Sequence, residues 1–433
     1  MKILLVHNNG SHRIGGVETW MIALAGVYRS LGHVCDIFWL GKEGLEGEQE
    51  ANGVIRRGSL AECIELILAR GCDVVHASTS DWDAGMAVVH RLPEAPRLVL
   101  TNHGEIYPMW NSWNCDAIAG CSRWTAQDQQ RWTDLPVYLV FNGIDLTRFS
   151  APERIDGGPP IVAWVGRGDD MIQKRIDKLA AVAPMLRSRG LRIWIADPRG
   201  PEKVPAEVAR VVRPLAERWS GVAVEEMPEF LRAVAASGGC VLSTSAFEGL
   251  PLALVEAQAC GCPVIGPDVR GVNECVEAAG GGVLYPFDTK AEELAAIISQ
   301  TVGDEEGMRW RREACGEFVR QRFSLPRMAE EYLRIYQAKT QGIRSGVSAL
   351  RMRLRAAWPI RYRPYVRRRW AAAHSQYQCF TEFMHKGERR WAKLVASTSV
   401  RTCATIYLRP ARLKSLVKAM VGVSAPALPV IRH

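Results

Sequence analysis

Ser245-Ala-Phe-Glu-Gly-Leu-Pro-Leu-Ala-Leu-Val-Glu-Ala-Gln-Ala-Cys-Gly-Cys-Pro263 decides how the second half of the chain is read. It comes just after an apolar run, Gly239-Cys-Val-Leu-Ser243, that reads as a strand, and it passes through a Glu-Gly turn. A helix then opens with Pro251 at its first position, where a missing N–H costs nothing. Leu252, Val255 and Ala259 recur at the three-and-four spacing of a helix packed on a sheet. Gly261 and Pro263 stop that helix, and Pro263-Val-Ile265 begins another strand. Two carboxylates are fixed here, Glu248 in the turn and Glu256 inside the helix. At a rise of about 1.5 Å per residue, Glu256 lies about 7–8 Å beyond the Pro251 end. A helix N-terminus favours an anion, so the stretch suits a phosphate held between two hydroxyl-binding carboxylates. The plainer alternative is a surface turn and an amphipathic helix with a solvated Glu.

Strands and helices alternate on both flanks. Lys2-Ile-Leu-Leu-Val6 reads as a buried strand, followed by a loop ending in Gly15-Gly16, a helix over about 17–31 and a strand over 33–40. Helices follow at 60–70 and 84–91, with strands at 73–76, 97–101 and 137–141. After the Pro/Gly-rich segment 151–160 the alternation resumes with Ile161-Val-Ala-Trp-Val165, a helix over 176–188 and a strand over 191–195. This pattern predicts an α/β chain with parallel sheets. Ligands in such sheets bind beyond the C-terminal strand ends, where His7, His76 and His103 fall, as do Arg167 and Lys174 in the second half. The histidines are as readily structural. An Arg and a Lys at a strand end suit a diphosphate, one as a fork and one as a point charge, although Arg175 competes with Lys174 for that place. Asp81-Trp82-Asp83 has the Asp-x-Asp form that holds a divalent cation, against the simpler reading of a loop before a helix.

Taken together, these segments resemble glycosyltransferase family 4, a group of retaining enzymes with the GT-B fold. The resemblance is carried by Glu248-Gly-Leu-Pro-Leu-Ala-Leu-Val-Glu256, by Gly15-Gly-Val-Glu18 and by the His103-Gly104 pair. Asn142-Gly-Ile-Asp145, Gly166-Arg167 with Lys174, Gly271-Val-Asn-Glu274 and the run Gly281–Asp288 complete it, over about residues 1–340. It implies two doubly wound Rossmann-like domains facing a cleft. These would be an acceptor-side domain at 1–150, a linker at 151–160, a nucleotide-sugar-binding domain at 161–325 and a helix at 326–340 crossing back to the first domain. It further implies that Glu248, His103, Arg167 and Lys174 are catalytic, with Arg167 and Lys174 across the cleft. Glu256, Gly249, Leu250, Pro251, Gly15, Gly16 and Asn142 would bind the donor. No cofactor and no metal are expected, the nucleotide-diphospho-sugar being a co-substrate.

Composition bounds the rest. The chain has 433 residues, 48% apolar and 23% charged, enough for two domains with large cores. Its 12 cysteines form no Cys-x-x-Cys framework and read as reduced thiols of a cytoplasmic protein. No secretory signal is visible, and no uncharged apolar run approaches the ~18 residues that span a bilayer. The net charge of +9 is unevenly placed: residues 341–433 hold 19 Lys/Arg against two acidic residues, leaving the remainder at −8. Leu413, Leu416, Val417, Met420 and Val421 make a helical stripe opposite Arg412, Lys414 and Lys418. A basic, mainly helical extension of this kind suits an anionic membrane surface. Docking on the chain's own acidic body is the alternative, and no nucleic-acid motif accompanies it. The expectation is a retaining glycosyltransferase acting on a saccharide or lipid-linked acceptor in cell-surface glycan synthesis, peripheral on the inner face of the membrane. An epimerase of the same fold, a glycosidase or a non-catalytic membrane scaffold are the rivals.

Overall fold

The computed structural model describes residues 1–7, 16–41, 47–50, 53–78, 89, 92, 94–104, 115–130, 135–153 and 157–338. Gly15, Asp81 to Asp83, most of the helix expected at 84–91 and the whole extension 341–433 lie outside the described residues. The chain divides into two compact units. One comprises 1–120, 125–139 and the chain from Glu331, and the other comprises 121–124 and 140–330. The division falls at Leu139/Val140, ahead of the Pro/Gly segment at 151–160, because that segment's N-terminal flank packs with the second unit. Ile144 and Phe149 belong to its core, and Ile144 exchanges backbone hydrogen bonds with Phe323 and Leu325 at 2.8 and 3.1 Å. Gly143 permits this approach, since a Cβ there would sit 2.6 Å from the Ser324 carbonyl oxygen.

The first unit holds strands β1 (Lys2–His7), β2 (Val34–Leu40), β3 (Gly47–Glu50), β4 (Gly53–Gly58), β5 (Val74–Ala77), β6 (Arg97–Asn102), β7 (Ala117–Gly120) and β8 (Val137–Leu139). Their order is β3-β4-β2-β1-β5-β6-β7-β8, parallel except where β3 runs against β4. Helix α1 (Gly16–Ser30) and helix α2 (Leu60–Arg70) follow strands as crossovers, and α3 (Arg123–Gln130) follows β7. Sequence signals set the ends of α2. Ser59 and Glu62 form a reciprocal capping box, and Gly71 closes the helix in the left-handed region at φ 59°. At the end of β5, His76 is sealed from solvent, its Nδ1 2.6 Å from the Tyr336 hydroxyl and its Nε2 2.7 Å from Thr101 Oγ1.

The second unit carries β9 (Ile161–Val165), β10 (Arg192–Ala196), β11 (Arg218–Ser220), β12 (Cys240–Leu242), β13 (Val264–Pro267) and β14 (Val283–Tyr285). All are parallel, in the order β11-β10-β9-β12-β13-β14. Its helices are α4 (Ile176–Ser188), α5 (Ala206–Val212), α6 (Met227–Ala236), α7 (Leu252–Ala259), α8 (Val272–Cys275), α9 (Ala291–Gly303), α10 (Glu305–Arg322) and α11 (Leu325–Gln337), the last passing to the first unit at Glu331. The strands read as unbroken apolar runs because both faces are covered. On β9, Ile161 and Ala163 enter one core with Phe230 and Val255, whereas Val162 and Trp164 enter the other with Leu179 and Ile298. Strand order reverses between β9 and β12, the switch point where a doubly wound sheet opens a ligand crevice at its C-terminal edge. Ten cysteines lie among the described residues, every one reduced and buried. Burial pushes the thiols of Cys72, Cys240 and Cys315 up to about 12.

Candidate functional site

The two loops that leave the switch point are joined to each other. After β9 comes Gly166-Arg167 and a turn to Lys174, and after β12 comes Ser243 to Glu248. The Trp164 indole N–H donates to Thr244 Oγ1 at 2.9 Å, and the Thr244 hydroxyl donates to the Lys174 carbonyl at 2.7 Å. The Ala246 amide donates to the Gln173 carbonyl at 2.7 Å. Lys174 and Glu248 are thereby set face to face, 74 residues apart in sequence, with Nζ 2.5 Å from Oε1.

Glu248 is almost wholly buried and its carboxylate is filled with donors. Ser245 Oγ donates to Oε1 at 2.7 Å, and Gln173 Nε2 donates to Oε2 at 2.9 Å, beside the Lys174 contact. A buried carboxylate needs such partners. Its backbone is held as firmly. The amide donates to the Arg270 carbonyl at 2.9 Å, and the Trp124 indole N–H donates to its carbonyl at 2.8 Å. Gly271, at φ 81°, passes so close that a Cβ would fall 2.2 Å from the Glu248 carbonyl oxygen. Glu274, on the next turn, accepts the Arg123 and Trp124 amides at 2.5 and 3.0 Å.

Lys174 rather than Arg175 is the cation on Glu248. Arg175 stands at φ 51° and its guanidinium is bidentate on Asp177, at 2.7 and 2.9 Å. Arg167 and Lys174 stand beside Glu248 rather than across a cleft from it, because β9 and β12 are neighbours in one sheet. Arg167 is engaged by Asp170 Oδ2 at 2.8 Å and Gln173 Oε1 at 3.4 Å. Pro251 is the residue before the first helical one rather than the first, and offers no side-chain cap. Among the described residues the amides of Leu252 and Ala253 have no acceptor, so the head of α7 presents free donors beside Gly249. Leu250 points into the core, leaving only its backbone for a ligand.

The carboxylate of Glu256, just over one turn into α7, makes no hydrogen bond or ion pair among the described residues, while its carbonyl accepts the Cys260 amide at 3.1 Å. Desolvation lifts its carboxyl from 4.5 to about 7, partly opposed by the charge of Arg148. Gly16 begins α1 in the first unit, and Asn142, in the second, is buried beside the Phe323 segment. The His103 ring packs edge-on against Trp20 with centroids 4.7 Å apart, and burial lowers its pKa to about 3, as it does for His76. Both are neutral imidazoles. His7, at about 4 for the same reason, meets the Ser78 hydroxyl at 3.1 Å.

Gln173, Ser245 and Asp170 were invisible to motif reading. The only trace is that Ser245 precedes Glu248 by one turn and Gln173 adjoins Lys174. Among the described residues no group of three or more His, Cys, Asp or Glu side chains is placed to hold a metal, and no helix is long and apolar enough to cross a membrane.

Residues 14–148 match the family described as Glycosyltransferase Family 4, and residues 159–304 the family described as Glycosyl transferases group 1. Alpha-maltose-1-phosphate synthase of Mycolicibacterium smegmatis is 30% identical over 220 residues, covering 46% of this chain and 56% of that protein. D-inositol 3-phosphate glycosyltransferase of Nocardia farcinica is 32% identical over 251 residues, covering 51% and 53%. The chain thus spans about half the length of the curated relatives it matches. Sucrose-phosphate synthase from Thermosynechococcus elongatus aligns with a TM-score of 0.62 at 18% identity, over 78% of this chain and 98% of that one. Anabaena HepE, in complex with UDP and glucose, aligns with a TM-score of 0.59 at 18% identity, over 78% and 100%. At that identity the likeness establishes the fold, two Rossmann-like parallel-sheet domains of the GT-B kind.

Proposed function

We propose, because residues 14–148 match the family Glycosyltransferase Family 4 and residues 159–304 the family Glycosyl transferases group 1, that the chain transfers a sugar from a nucleotide-diphospho-sugar to a saccharide or lipid-linked acceptor. The observation that carries this is the convergence of Arg167, Lys174, Glu248 and the open amides of α7 at the switch point of the second sheet. Arg167, Lys174 and those amides stabilise the charge that grows on the departing diphosphate. Preorganised charge of this kind is usually the largest catalytic contribution. Glu248 orients the sugar hydroxyls and Glu256 the ribose hydroxyls. The family resemblance also assigns His103, a neutral imidazole at physiological pH, and Gly15, Gly16 and Asn142 to the donor. Departure and attack occur on one face of the sugar, so the anomeric configuration is kept, and no metal or other cofactor takes part.

Isothermal titration and hydrolysis assays with a panel of UDP-, GDP- and ADP-sugars, with and without EDTA, test this reading. The expected result is binding of one nucleotide class and slow hydrolysis that EDTA leaves unchanged. Absence of binding by every donor would overturn it. Loss of activity with EDTA would instead restore Asp81 and Asp83 as metal ligands, and altered sugar released without acceptor would make the protein an epimerase. The basic extension 341–433 places the enzyme on an anionic inner membrane surface, where cell-surface glycans are built. Equal sedimentation of the full chain and a 1–340 form with anionic liposomes would refute that role.

A further inference from the structure

The turn between Arg167 and Lys174 brings acid to a place that, on the donor-binding reading above, must receive a diphosphate. It carries Asp169 and Asp170 in succession. Asp169 faces Arg199 at 3.5 Å. Asp170 Oδ2 takes the Arg167 guanidinium at 2.8 Å, while its Oδ1 accepts the Gln173 amide at 3.0 Å and its carbonyl accepts the Lys174 amide at 2.9 Å. Gln173 joins the same network from the other side, its Oε1 3.4 Å from Arg167 and its Nε2 2.9 Å from Glu248. Both cations of the site are therefore already matched to carboxylates, Arg167 to Asp170 and Lys174 to Glu248. The two pairs differ in depth. Lys174 and Glu248 are 19% and 8% exposed at the side chain, whereas Arg167 and Asp170 are 46% and 24% exposed. The second pair is the one that water screens and that an incoming anion can displace.

We infer that Asp170 is a positioning residue: it holds Arg167 in the donor-free protein and yields the guanidinium to the diphosphate when the donor binds. Two jobs are separable in its side chain. Oδ1 builds the turn and Oδ2 holds the charge. Asp170→Asn keeps an oxygen for the Gln173 amide and removes the charge from Arg167. Releasing a partly exposed ion pair of this kind changes an equilibrium by at most about fivefold. Diphosphate affinity should therefore rise, by up to about fivefold.

The test is isothermal titration of the full chain with inorganic pyrophosphate, with UDP, GDP and ADP, and with the matching nucleosides. It compares the wild type, Asp170→Asn, Asp170→Glu, Arg167→Gln and the Arg167→Gln/Asp170→Asn double variant. The expected result is tighter pyrophosphate and nucleoside diphosphate binding by Asp170→Asn, no gain for the nucleoside, and no gain in Asp170→Glu. In the Arg167→Gln background the Asp170→Asn change should have no effect on diphosphate affinity. A purely structural role would weaken nucleoside and diphosphate together. Unchanged or weaker diphosphate binding by Asp170→Asn, or a gain that persists without Arg167, overturns the inference while leaving the donor-binding reading intact. Failure of every form, the wild type included, to bind any diphosphate overturns both.

Discussion

Lys174 Nζ and Glu248 Oε1 lie 2.5 Å apart at the ends of loops from adjacent strands, with Ser245 and Gln173 completing the carboxylate's donors. Removing one member of a pair this buried leaves the other without a counter-charge. Glu248→Ala is expected to lower kcat/KM for sugar transfer by at least about a hundredfold, comparable to loss of a preorganised electrostatic partner. The protein should remain folded by circular dichroism, because the sheets beneath it are untouched. Full activity in that variant would remove Glu248 from the site.

Glu256 gives a pH dependence of defined sign. Its carboxyl is raised from 4.5 to about 7 by desolvation, so the native protein binds a proton that the unfolded chain has released between those values. Ionisation of Glu256 therefore costs stability above about pH 7, and that cost disappears as pH falls to 4.5. Glu256→Gln should raise Tm by about 2–4 °C at pH 8 and leave it unchanged near pH 4.5. Donor affinity of the wild type should fall as pH drops below about 7, where the carboxylate that would take the ribose hydroxyls becomes protonated. A flat Tm difference across that range in scanning calorimetry would refute the assignment.

The histidines carry the opposite sign. His76 is held near 3, below its ordinary 6.5, by burial, so the unfolded chain binds more protons than the native one in between. Stability present above pH 6.5 should decline as pH falls toward 3. Tyr336→Phe deletes the hydroxyl on His76 Nδ1, and a buried polar atom left unsatisfied costs about 1–3 kcal/mol. Thermal melts should show that loss, with nucleoside diphosphate affinity unchanged in titrations.

Gly271 tests how firmly the Glu248 backbone must be held. At φ 81°, with a Cβ position 2.2 Å from the Glu248 carbonyl oxygen, Gly271→Ala combines backbone strain with overlap. A destabilisation of about 1–3 kcal/mol and at least a tenfold fall in kcat/KM are expected. Wild-type kinetics in this variant would show that the Glu248 main chain tolerates displacement.

Much of this architecture could be read from residue order. Apolar runs such as Ile161–Val165 and capped periodic stretches such as Leu60–Arg70 appear within a residue or two of where periodicity puts them. Elements without that signature were not anticipated. Strand β7 is Ala117-Ile-Ala-Gly120, too small-residued to announce itself, and α10 buries only Met308, Cys315 and Val319 beneath a dense coat of charge. At the site, Glu248, Arg167 and Lys174 were legible as chemistry. Their partners were not, because the Gln173–Glu248 hydrogen bond joins residues 75 apart. Which loops meet there is fixed by strand order, and strand order is not written in either loop.

The ten buried thiols among the described residues have a use outside the reaction. A thiol that is sealed from solvent and held in its protonated form reacts with an alkylating reagent only when the surrounding segment opens. With Cys379 and Cys403 replaced by serine, each remaining cysteine becomes a clock on its own neighbourhood, Cys35 and Cys63 in the first unit, Cys240 and Cys315 in the second. Timed alkylation followed by peptide mass mapping would then rank the two units by opening rate and show which of them a bound nucleotide slows.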